Sequence, residues 1–463
     1  MSERFQTISP VDGSVYVERP WATHAAIEQA LSRAAAAAEG WRRTPLADRL
    51  ALLQALTDAV MADAEAAASE LVWQIGRPTR YGAGELRGFE ERARYMLDAA
   101  PAALADVDAG EKAGFTRFIR REPLGCVLVL APWNYPYLTA VNAFLPALAA
   151  GNVVVLKHSE QTPLCAERLA AAAAAAGLPE GVFQILHATH ADVARMIADP
   201  RVDFVAFTGS VEGGRAIQAA ASARFIGVGL ELGGKDPAYV RADADLDFAV
   251  ENVADGAFFN SGQSCCGIER VYVHADVYDR FIAGLAEVTR GYVLGNPTDP
   301  ATTLGPVVRE ANAARIRAQI DAALRGGARD LVSPAGFPAA GGAYMAPRVL
   351  VDVDHSMAFM RDETFGPAVG VMKVSGDDEA VALMNDSDFG LTASIWSADA
   401  DAALALGDRV ETGTLFLNRC DYLDPALAWV GIKNSGRGCT LSSLGYSYLT
   451  RPKSFHLRTI LPS

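Results

Sequence analysis

Two adjacent cysteines, Cys265 and Cys266, lie in a loop of small and polar residues, FFNSGQSCCGIER (258–270). A disulfide between neighbours is unfavourable, because the eight-membered ring strains the preferred S–S geometry. The nearby Asn260 and Gly262 are not residues that usually pack a core. Two interpretations stay open at this point: a reactive thiol, or a pair of small buried hydrophobic residues.

Polar side chains follow two apolar runs that are typical of buried strands. Asn134 lies in APWNYP directly after GCVLVL, where its amide can donate to a developing oxyanion or simply cap a rigid turn. Lys157 and Glu160 follow VVVL three residues apart. They can hold the hydroxyls of a ribose, as an acidic residue does in dinucleotide sites, or form a surface ion pair.

Three further strings contain candidates for binding and proton transfer. In FVAFTGS, Gly209 and Ser210 stand where a strand meets a helix, which favours a phosphate group. Glu231 precedes the glycine pair of ELGGK and can act as a general base in a partly apolar setting. In RDETFGP, Glu363 can accept hydrogen bonds from a second ribose and Phe365 offers an apolar wall. Each string alone is also compatible with an ordinary turn or polar loop.

The composition limits the class of protein. A chain of 463 residues with 51% hydrophobic and 21% charged residues predicts two or three globular domains. The net charge of −14 gives no electrostatic encouragement to bind nucleic acid or an anionic membrane. Six cysteines and seven histidines form no CxxC or HExxH pattern, so neither a disulfide scaffold nor a metal site is expected. The N-terminus has no apolar signal core, and a reduced cytoplasm fits best.

The order of apolar patterns predicts the elements that position these side chains. The pattern is helical from Trp21 to about Pro101, and short apolar runs then alternate with stretches of helical pattern. That alternation indicates α/β units with parallel sheets covered on both faces. The segment GFTRFIRREP alternates apolar and basic residues, which predicts an extra strand. Paired with a C-terminal segment such as SYLTRPKSFHL, it would form an oligomerisation flap.

Together these strings resemble the aldehyde dehydrogenase superfamily. APWNYP, LKHSEQTP, FTGS, ELGGK, FFNSGQSCC, ETFGP and GIKNSGRG occur in the family's order, from about Ile8 to the C-terminus. The resemblance implies an α/β fold with two Rossmann-like open parallel-sheet domains and a small β oligomerisation flap. The corresponding ranges are 1–110 and 124–235 for an NAD-binding domain, 236–440 for a catalytic domain, and 111–123 and 441–463 for the oligomerisation segment.

The same resemblance assigns roles to residues. It makes Cys265 the nucleophile, Glu231 the base for deacylation and Asn134 the oxyanion donor. Residues implied for cofactor binding are Trp133, Lys157, Glu160, Gly209, Ser210, Glu363 and Phe365. Candidate residues of the substrate tunnel are Tyr135, Asn142, Cys266, Tyr422 and Trp429, although such aromatic residues are equally typical of cores. Lys433 and Gly436, in the string GIKNSGRG, are expected to be structural.

The implied function is oxidation of a small-molecule aldehyde to the acid, through a thiohemiacetal and a thioester on Cys265. Glu160 predicts NAD rather than NADP, because a carboxylate repels a 2′-phosphate. A homodimer or homotetramer is expected. Alternatives are a carboxylate-bearing semialdehyde substrate, acyl transfer to coenzyme A, and an inactive member that keeps the fold.

Two departures from the family pattern affect these expectations. HATH (187–190) replaces the usual glycine-rich turn, so no residue is assigned to the contact that this turn makes with the adenosine half of the cofactor. The segment NRCDYLDPALAWVGIK lacks the usual Pro-Phe-Gly-Gly. Arg419 or Arg437 can recognise a substrate carboxylate, but an arginine beside an aspartate in NRCD favours an internal ion pair. A neutral aldehyde is therefore preferred.

Overall fold

A hairpin and four helices form the N-terminal layer of the computed structural model, which describes residues 3–338 and 341–460. The elements are β1 (Arg4–Ile8), β2 (Val15–Pro20), α1 (His24–Arg43), α2 (Leu46–Ala62), α3 (Ala64–Ile75) and α4 (Thr79–Ala103). Thr23 caps α1 by accepting a hydrogen bond from the amide of Ala26. Gly76 ends α3 at φ +76°, where an added Cβ would lie 2.7 Å from Pro306. The sequence patterns predicted the helices but missed the hairpin.

The first parallel sheet follows two strands that lie outside it, one of two residues and one of nine. The elements are β3 (Val107–Asp108), β4 (Phe115–Pro123), β5 (Cys126–Ala131), α5 (Pro136–Ala149), β6 (Val153–His158), α6 (Pro163–Ala175), β7 (Phe183–Ile185), α7 (His190–Ala198), β8 (Phe204–Thr208), α8 (Val211–Ala221) and β9 (Gly227–Glu231). The parallel strands lie in the order β7-β6-β5-β8-β9. Strands β5 and β6 are almost wholly buried, because helices cover both faces.

The second parallel sheet is built from the next part of the chain. The elements are β10 (Asp236–Val240), α9 (Leu246–Phe258), β11 (Ile268–His274), α10 (Tyr278–Arg290), α11 (Glu310–Arg325), β12 (Arg329–Asp330), β13 (Arg348–Val351), α12 (Ala358–Arg361), β14 (Ala368–Val374), α13 (Asp377–Asn385), β15 (Phe389–Gly390), β16 (Thr392–Trp396), α14 (Ala400–Gly407) and β17 (Thr414–Leu417). The order is β12-β13-β14-β11-β10-β16-β17, and only β12 runs antiparallel.

The C-terminal segment returns to the earlier sheets. The elements are β18 (Ile432–Lys433), β19 (Gly436–Arg437), α15 (Gly445–Tyr448) and β20 (Thr450–Arg458). Strand β19 joins the edge of the first sheet with Gly436 opposite Glu231. Gly436 has φ +132°, and an added Cβ would lie 2.0 Å from the carbonyl oxygen of Leu230, so only glycine allows this approach. The ammonium of Lys433 donates to the carbonyls of Asn385 and Ser387, as a structural residue would.

Strands β20 and β4 pair antiparallel over their full length, from Thr450 opposite Pro123 to Arg458 opposite Phe115. This is the pairing that the alternating pattern predicted. Phe118 and Phe455 stack across it with ring centroids 4.5 Å apart. That the resulting sheet contacts another subunit stays a prediction.

The α/β class with two open parallel sheets is confirmed. The predicted domain ranges stay predictions, and β19 belongs to the first sheet although it lies within 236–440. Residues 1, 2, 339, 340 and 461–463, which those ranges include, lie outside the described residues. Within the described ranges, no helix has the length and apolar character needed to cross a membrane.

Candidate active site

The loop before Cys265 folds sharply and holds that residue partly exposed. After α9 the chain makes a short 3₁₀ turn, Phe259–Gly262, in which Asn260 and Ser261 have φ of 52° and 57°. Gln263 fixes the loop: its side-chain oxygen accepts from the amide of Val308 at 2.7 Å, and its side-chain nitrogen donates to Asn260 at 3.0 Å. Such left-handed, non-glycine residues persist only where surrounding contacts determine them.

Asn134 lies against this loop. Its residue is 5% exposed, and its side-chain amide donates to the carbonyl oxygen of Gln263 at 3.1 Å. Its own carbonyl oxygen accepts from Arg77 at 2.5 Å and from Asn260 at 3.2 Å. One amide hydrogen of Asn134 is therefore committed to the loop that carries Cys265, and the second has no partner among the described residues.

Glu231 ends β9 and is held by two hydroxyl groups. Thr208 donates to one carboxylate oxygen at 3.0 Å, and Thr440 donates to the other at 2.5 Å. Burial raises the pKa of Glu231, while the two hydroxyls and the guanidinium of Arg92 lower it in part. A buried carboxyl with a raised pKa is suited to take a proton near neutral pH.

A cavity of about 390 Å³ is lined by both Cys265 and Glu231. The five residues predicted for a substrate tunnel also line it: Tyr135, Asn142, Cys266, Tyr422 and Trp429. Asn134 and the predicted cofactor residues do not line this cavity. The structure thus brings the thiol, the carboxylate and the five tunnel candidates to one space.

Helix α4 contributes charged residues to this cavity that the sequence reading missed. Glu85 and Arg77 form a buried ion pair, and Arg92 donates to the carbonyl oxygen of Leu138 at 2.8 Å and to Asn142 at 3.3 Å. Glu85 and Arg92 interrupt the buried stripe of α4, seven residues apart. Charged residues inside the apolar stripe of a helix are the sequence signal that could have identified these two as candidate site residues.

Asp421 is the other missed residue. One of its carboxylate oxygens accepts from the hydroxyl of Ser264 at 2.9 Å and from the thiol of Cys266 at 3.0 Å. Burial raises the pKa of Asp421 to about 6. The favoured ion pair within NRCD is absent from the described residues, because the guanidinium of Arg419 instead lies 3.7 Å from the ring centroid of Tyr422.

Arg437, the second candidate for a substrate carboxylate, donates to the carbonyl oxygen of Val228 at 3.2 Å. Neither Arg419 nor Arg437 lines the cavity with Cys265. The two guanidinium groups proposed from the sequence therefore lie outside the space that contains the thiol.

A separate cleft of about 460 Å³ lies between the start of α8 and Glu363. Ser210 caps α8 by accepting from the amide of Gly213 at 3.1 Å, and Gly209 precedes it in the turn after β8. The first amides of a helix lack intrahelical partners, so this end of α8 suits a phosphate group. The Glu363 carboxylate accepts from the amide of Gly234 at 3.0 Å, and burial raises its pKa to about 7.

The buried carboxylate of Glu269 fixes the loop that carries Glu363. It accepts from the ammonium of Lys235 at 2.6 Å and from the amides of Thr364 and Phe365 at 2.7 and 2.8 Å. Phe365 meets Trp133 edge to face, with ring centroids 5.7 Å apart. The sequence reading assigned no role to Lys235 or Glu269, since a pairing 34 residues apart leaves no local signal.

That Lys157 and Glu160 hold a ribose stays a prediction. The ammonium of Lys157 makes no hydrogen bond with a described residue, and burial lowers its pKa. The Glu160 side chain is 43% exposed and pairs with Arg309 at 3.4 Å. In the HATH segment, His187 contacts Glu167 at 3.1 Å, and Thr189 caps α7. No cluster of three potential metal ligands occurs in residues 3–338 and 341–460.

Comparison with known proteins shows a family and individual relatives to which this chain is similar. The model of the aldehyde dehydrogenase family matches residues 1–455. A succinate-semialdehyde dehydrogenase [NADP(+)] of Mycobacterium avium (strain 104) is 35% identical over 443 residues, which cover 95% of this chain and 93% of the relative.

Two solved structures share the fold closely. Succinic semialdehyde dehydrogenase from Streptococcus pyogenes, in complex with NADP+, has a TM-score of 0.94 at 30% identity and covers 98% of this chain and 100% of its own. NADP-dependent glyceraldehyde-3-phosphate dehydrogenase from Bacillus halodurans C-125, complexed with NADP, has a TM-score of 0.93 at 31% identity and covers 99% and 96%.

These relatives overturn the predicted preference for NAD over NADP, because each of the three is NADP-dependent or binds NADP. The structure gives a physical reason why the prediction was wrong. Arg309 pairs with the Glu160 carboxylate that was expected to repel a 2′-phosphate.

Proposed function

The chain belongs to the aldehyde dehydrogenase family, and we propose that it oxidises an aldehyde to the carboxylic acid with NADP as the hydride acceptor. The observation that carries this proposal is that Cys265 and Glu231 line one cavity. A thiol that can be acylated and a carboxyl suited to activate water are the two groups that such a reaction needs.

The first half of the reaction takes place at Cys265. Its thiolate attacks the aldehyde carbon, and the oxygen of the resulting thiohemiacetal carries the negative charge. The backbone N–H of Cys265 and the free amide hydrogen of Asn134 are the groups we assign to that oxygen. Loss of one such donor typically costs ~10²–10³ in rate. When bound, NADP supplies a nicotinamide ring that accepts hydride from the carbon of the thiohemiacetal. Loss of that hydride leaves a thioester on Cys265.

The second half hydrolyses the thioester. Glu231 takes a proton from water, which attacks the acyl carbon, and the acid departs as Cys265 regains its thiolate. Thr208 and Thr440 hold both oxygens of the base in the resting protein, so it must exchange at least one of these hydrogen bonds to reach water.

The residues present fit NADP. We assign the pyrophosphate to the start of α8 at Gly209 and Ser210, and the nicotinamide ribose to Glu363, since Glu363 and Val211, the first residue of α8, line the 460 Å³ cleft. Trp133 and Phe365 pack together beside them. Lys157 is assigned to the adenosine ribose and its 2′-phosphate, because its ammonium makes no hydrogen bond with a described residue.

The direct test is an aldehyde panel with NADP and with NAD, followed by absorbance at 340 nm. Cys265→Ser is expected to abolish turnover, whereas Cys266→Ser is expected to retain acylation, because the neighbouring thiol is bound to Asp421. Turnover by Cys265→Ser at the rate of the unmodified protein would contradict the proposal. A strict need for coenzyme A would indicate acyl transfer instead, and an inert protein would indicate a member that keeps only the fold.

A second candidate function is oxidation of a carboxylate-bearing semialdehyde. The relatives named for succinate semialdehyde favour it, as does Arg92, which lines the cavity without a carboxylate in salt-bridge contact among the described residues. A value of kcat/KM for succinate semialdehyde well above that for butanal would establish it. Equal values would leave the neutral aldehyde as the better assignment.

For assembly, we propose a homodimer or homotetramer that forms through the sheet of β4 and β20. Strand β20 is an exposed edge whose aromatic residues stack with those of β4, and an unpaired edge is a template for another strand. Light scattering is expected to give a multiple of 49.0 kDa. A monomeric mass would contradict this assignment.

A further inference from the structure

We propose that Asp421 is a specificity residue, and that it selects short aldehydes with a hydrogen-bond donor, an ammonium or a hydroxyl group, a few bonds from the carbonyl carbon. This inference rests on aldehyde oxidation at Cys265. It concerns a residue in the segment that departs from the family pattern.

The carboxylate of Asp421 is anchored on one side only. Its Oδ1 accepts from Ser264 at 2.9 Å and from Cys266 at 3.0 Å, the two residues that flank Cys265. Its Oδ2 accepts no hydrogen bond from any described residue, and Asp421 lines the cavity. Oδ2 is therefore a free acceptor on a residue that lines the space next to the nucleophile.

Asp421 forms no ion pair with a described residue, although the charge of Arg77 lowers the pKa of its carboxyl in part. Arg77 is in an ion pair with Glu85. Glu231 exerts the strongest charge effect on Arg92, and it opposes the desolvation that lowers the pKa of that guanidinium. A hydroxyl and a thiol are the only donors to Asp421 among the described residues.

An enclosed carboxylate without an ion pair is costly, and a ligand that supplies a donor offsets that cost. An aldehyde with an ammonium or hydroxyl group satisfies the free oxygen, whereas an apolar isostere displaces water and leaves it unpaired. A substrate carboxylate would face a like charge. The contacts with both neighbours of Cys265 keep this acceptor close to the reacting carbon, so a short chain fits best.

Three substrates of nearly the same shape test the inference: butanal, 3-hydroxypropanal and 3-aminopropanal, compared by kcat/KM with NADP at pH 7.5. The expected preference for the two donor-bearing aldehydes over butanal is about 10–100-fold, the effect of one hydrogen bond to a charged group. A higher value for the amine identifies ammonium as the recognised donor, and a higher value for the alcohol identifies hydroxyl. Equal values for all three, or a preference for succinate semialdehyde, would overturn the inference.

Asp421→Asn provides a second readout. The Asn oxygen can still accept from Ser264 and Cys266, while its amide nitrogen replaces Oδ2 and turns the acceptor into a donor. The ratio of kcat/KM between 3-aminopropanal and butanal is expected to fall at least about tenfold. An unchanged ratio would overturn the inference.

Ser264→Ala is the matched control. It removes one donor to Oδ1 but leaves Oδ2 as a free acceptor, so it is expected to change the three rates by similar factors. A collapse of the ratio in this variant as well would assign Asp421 to positioning of the loop and overturn the role in specificity. The ranking by the unmodified protein does not depend on the folding of any variant, and absence of turnover with every aldehyde would instead reject the proposed oxidation.

Discussion

Replacement of Asp421 by asparagine is expected to stabilise the protein, and to do so more at high pH than at low pH. In the folded protein, burial raises the pKa of this carboxyl from its ordinary 3.8 to about 6. The folded state then binds the proton more tightly than the unfolded state, so stability falls as pH rises through this interval. At ~1.4 kcal/mol for each pH unit, the full cost above pH 7 is about 3 kcal/mol.

The assay is the thermal midpoint of Asp421→Asn and of the unmodified protein, measured from pH 4 to pH 8. The gain in midpoint should be small near pH 4, grow between pH 4 and 6, and level off above pH 7. Asp98→Asn is the control, because Asp98 is exposed on α4 and makes no side-chain hydrogen bond with a described residue. A gain that is independent of pH, or a loss that grows with pH, would refute the reasoning.

Two further substitutions test the site. Thr440→Val removes the hydroxyl that donates to Glu231 at 2.5 Å, so the pKa of Glu231 should rise. The acidic limb of the pH–rate profile for thioester hydrolysis, followed in single turnovers, should therefore move up by about one pH unit. An unmoved limb would show that Thr440 and Glu231 are not in contact in solution. Lys157→Met should raise the Kd for NADPH about tenfold to a hundredfold more than that for NADH, because we assign the lost ammonium to the 2′-phosphate. Fluorescence titration measures both constants, and equal changes would reject the assignment of Lys157.

Much of the fold could be predicted from the sequence, because the patterns that specify its strands and helices are local. Buried parallel strands such as β5 and β6 appear as continuous apolar runs, and the helices between them begin and end at recognisable residues. The pairing of β4 with β20 could be anticipated because two alternating segments needed a partner. Strand β19 could not, since its position beside Glu231 depends on a close backbone approach at Gly436.

Residue type and order were enough to predict Cys265 and Glu231, which the structure brings to one cavity. Asp421 and the partner of Glu160 could not be predicted in this way. The preference for NAD was predicted from Glu160 without its partner Arg309, which lies 149 residues away in the chain. Asp421 was assigned to a local ion pair, but its contacts are with residues 155 and 157 positions earlier. Propensity and spacing do not report such contacts.

Trapping the acylated protein is the most direct test of the central claim. In Glu231→Gln the base is lost, so incubation with NADP and an aldehyde should leave the acyl group on the protein. Intact mass followed by peptide mapping is expected to show one added acyl group, on the sulfur of Cys265. An acyl group on Cys266, or no covalent adduct while the reduced cofactor still accumulates, would contradict the account.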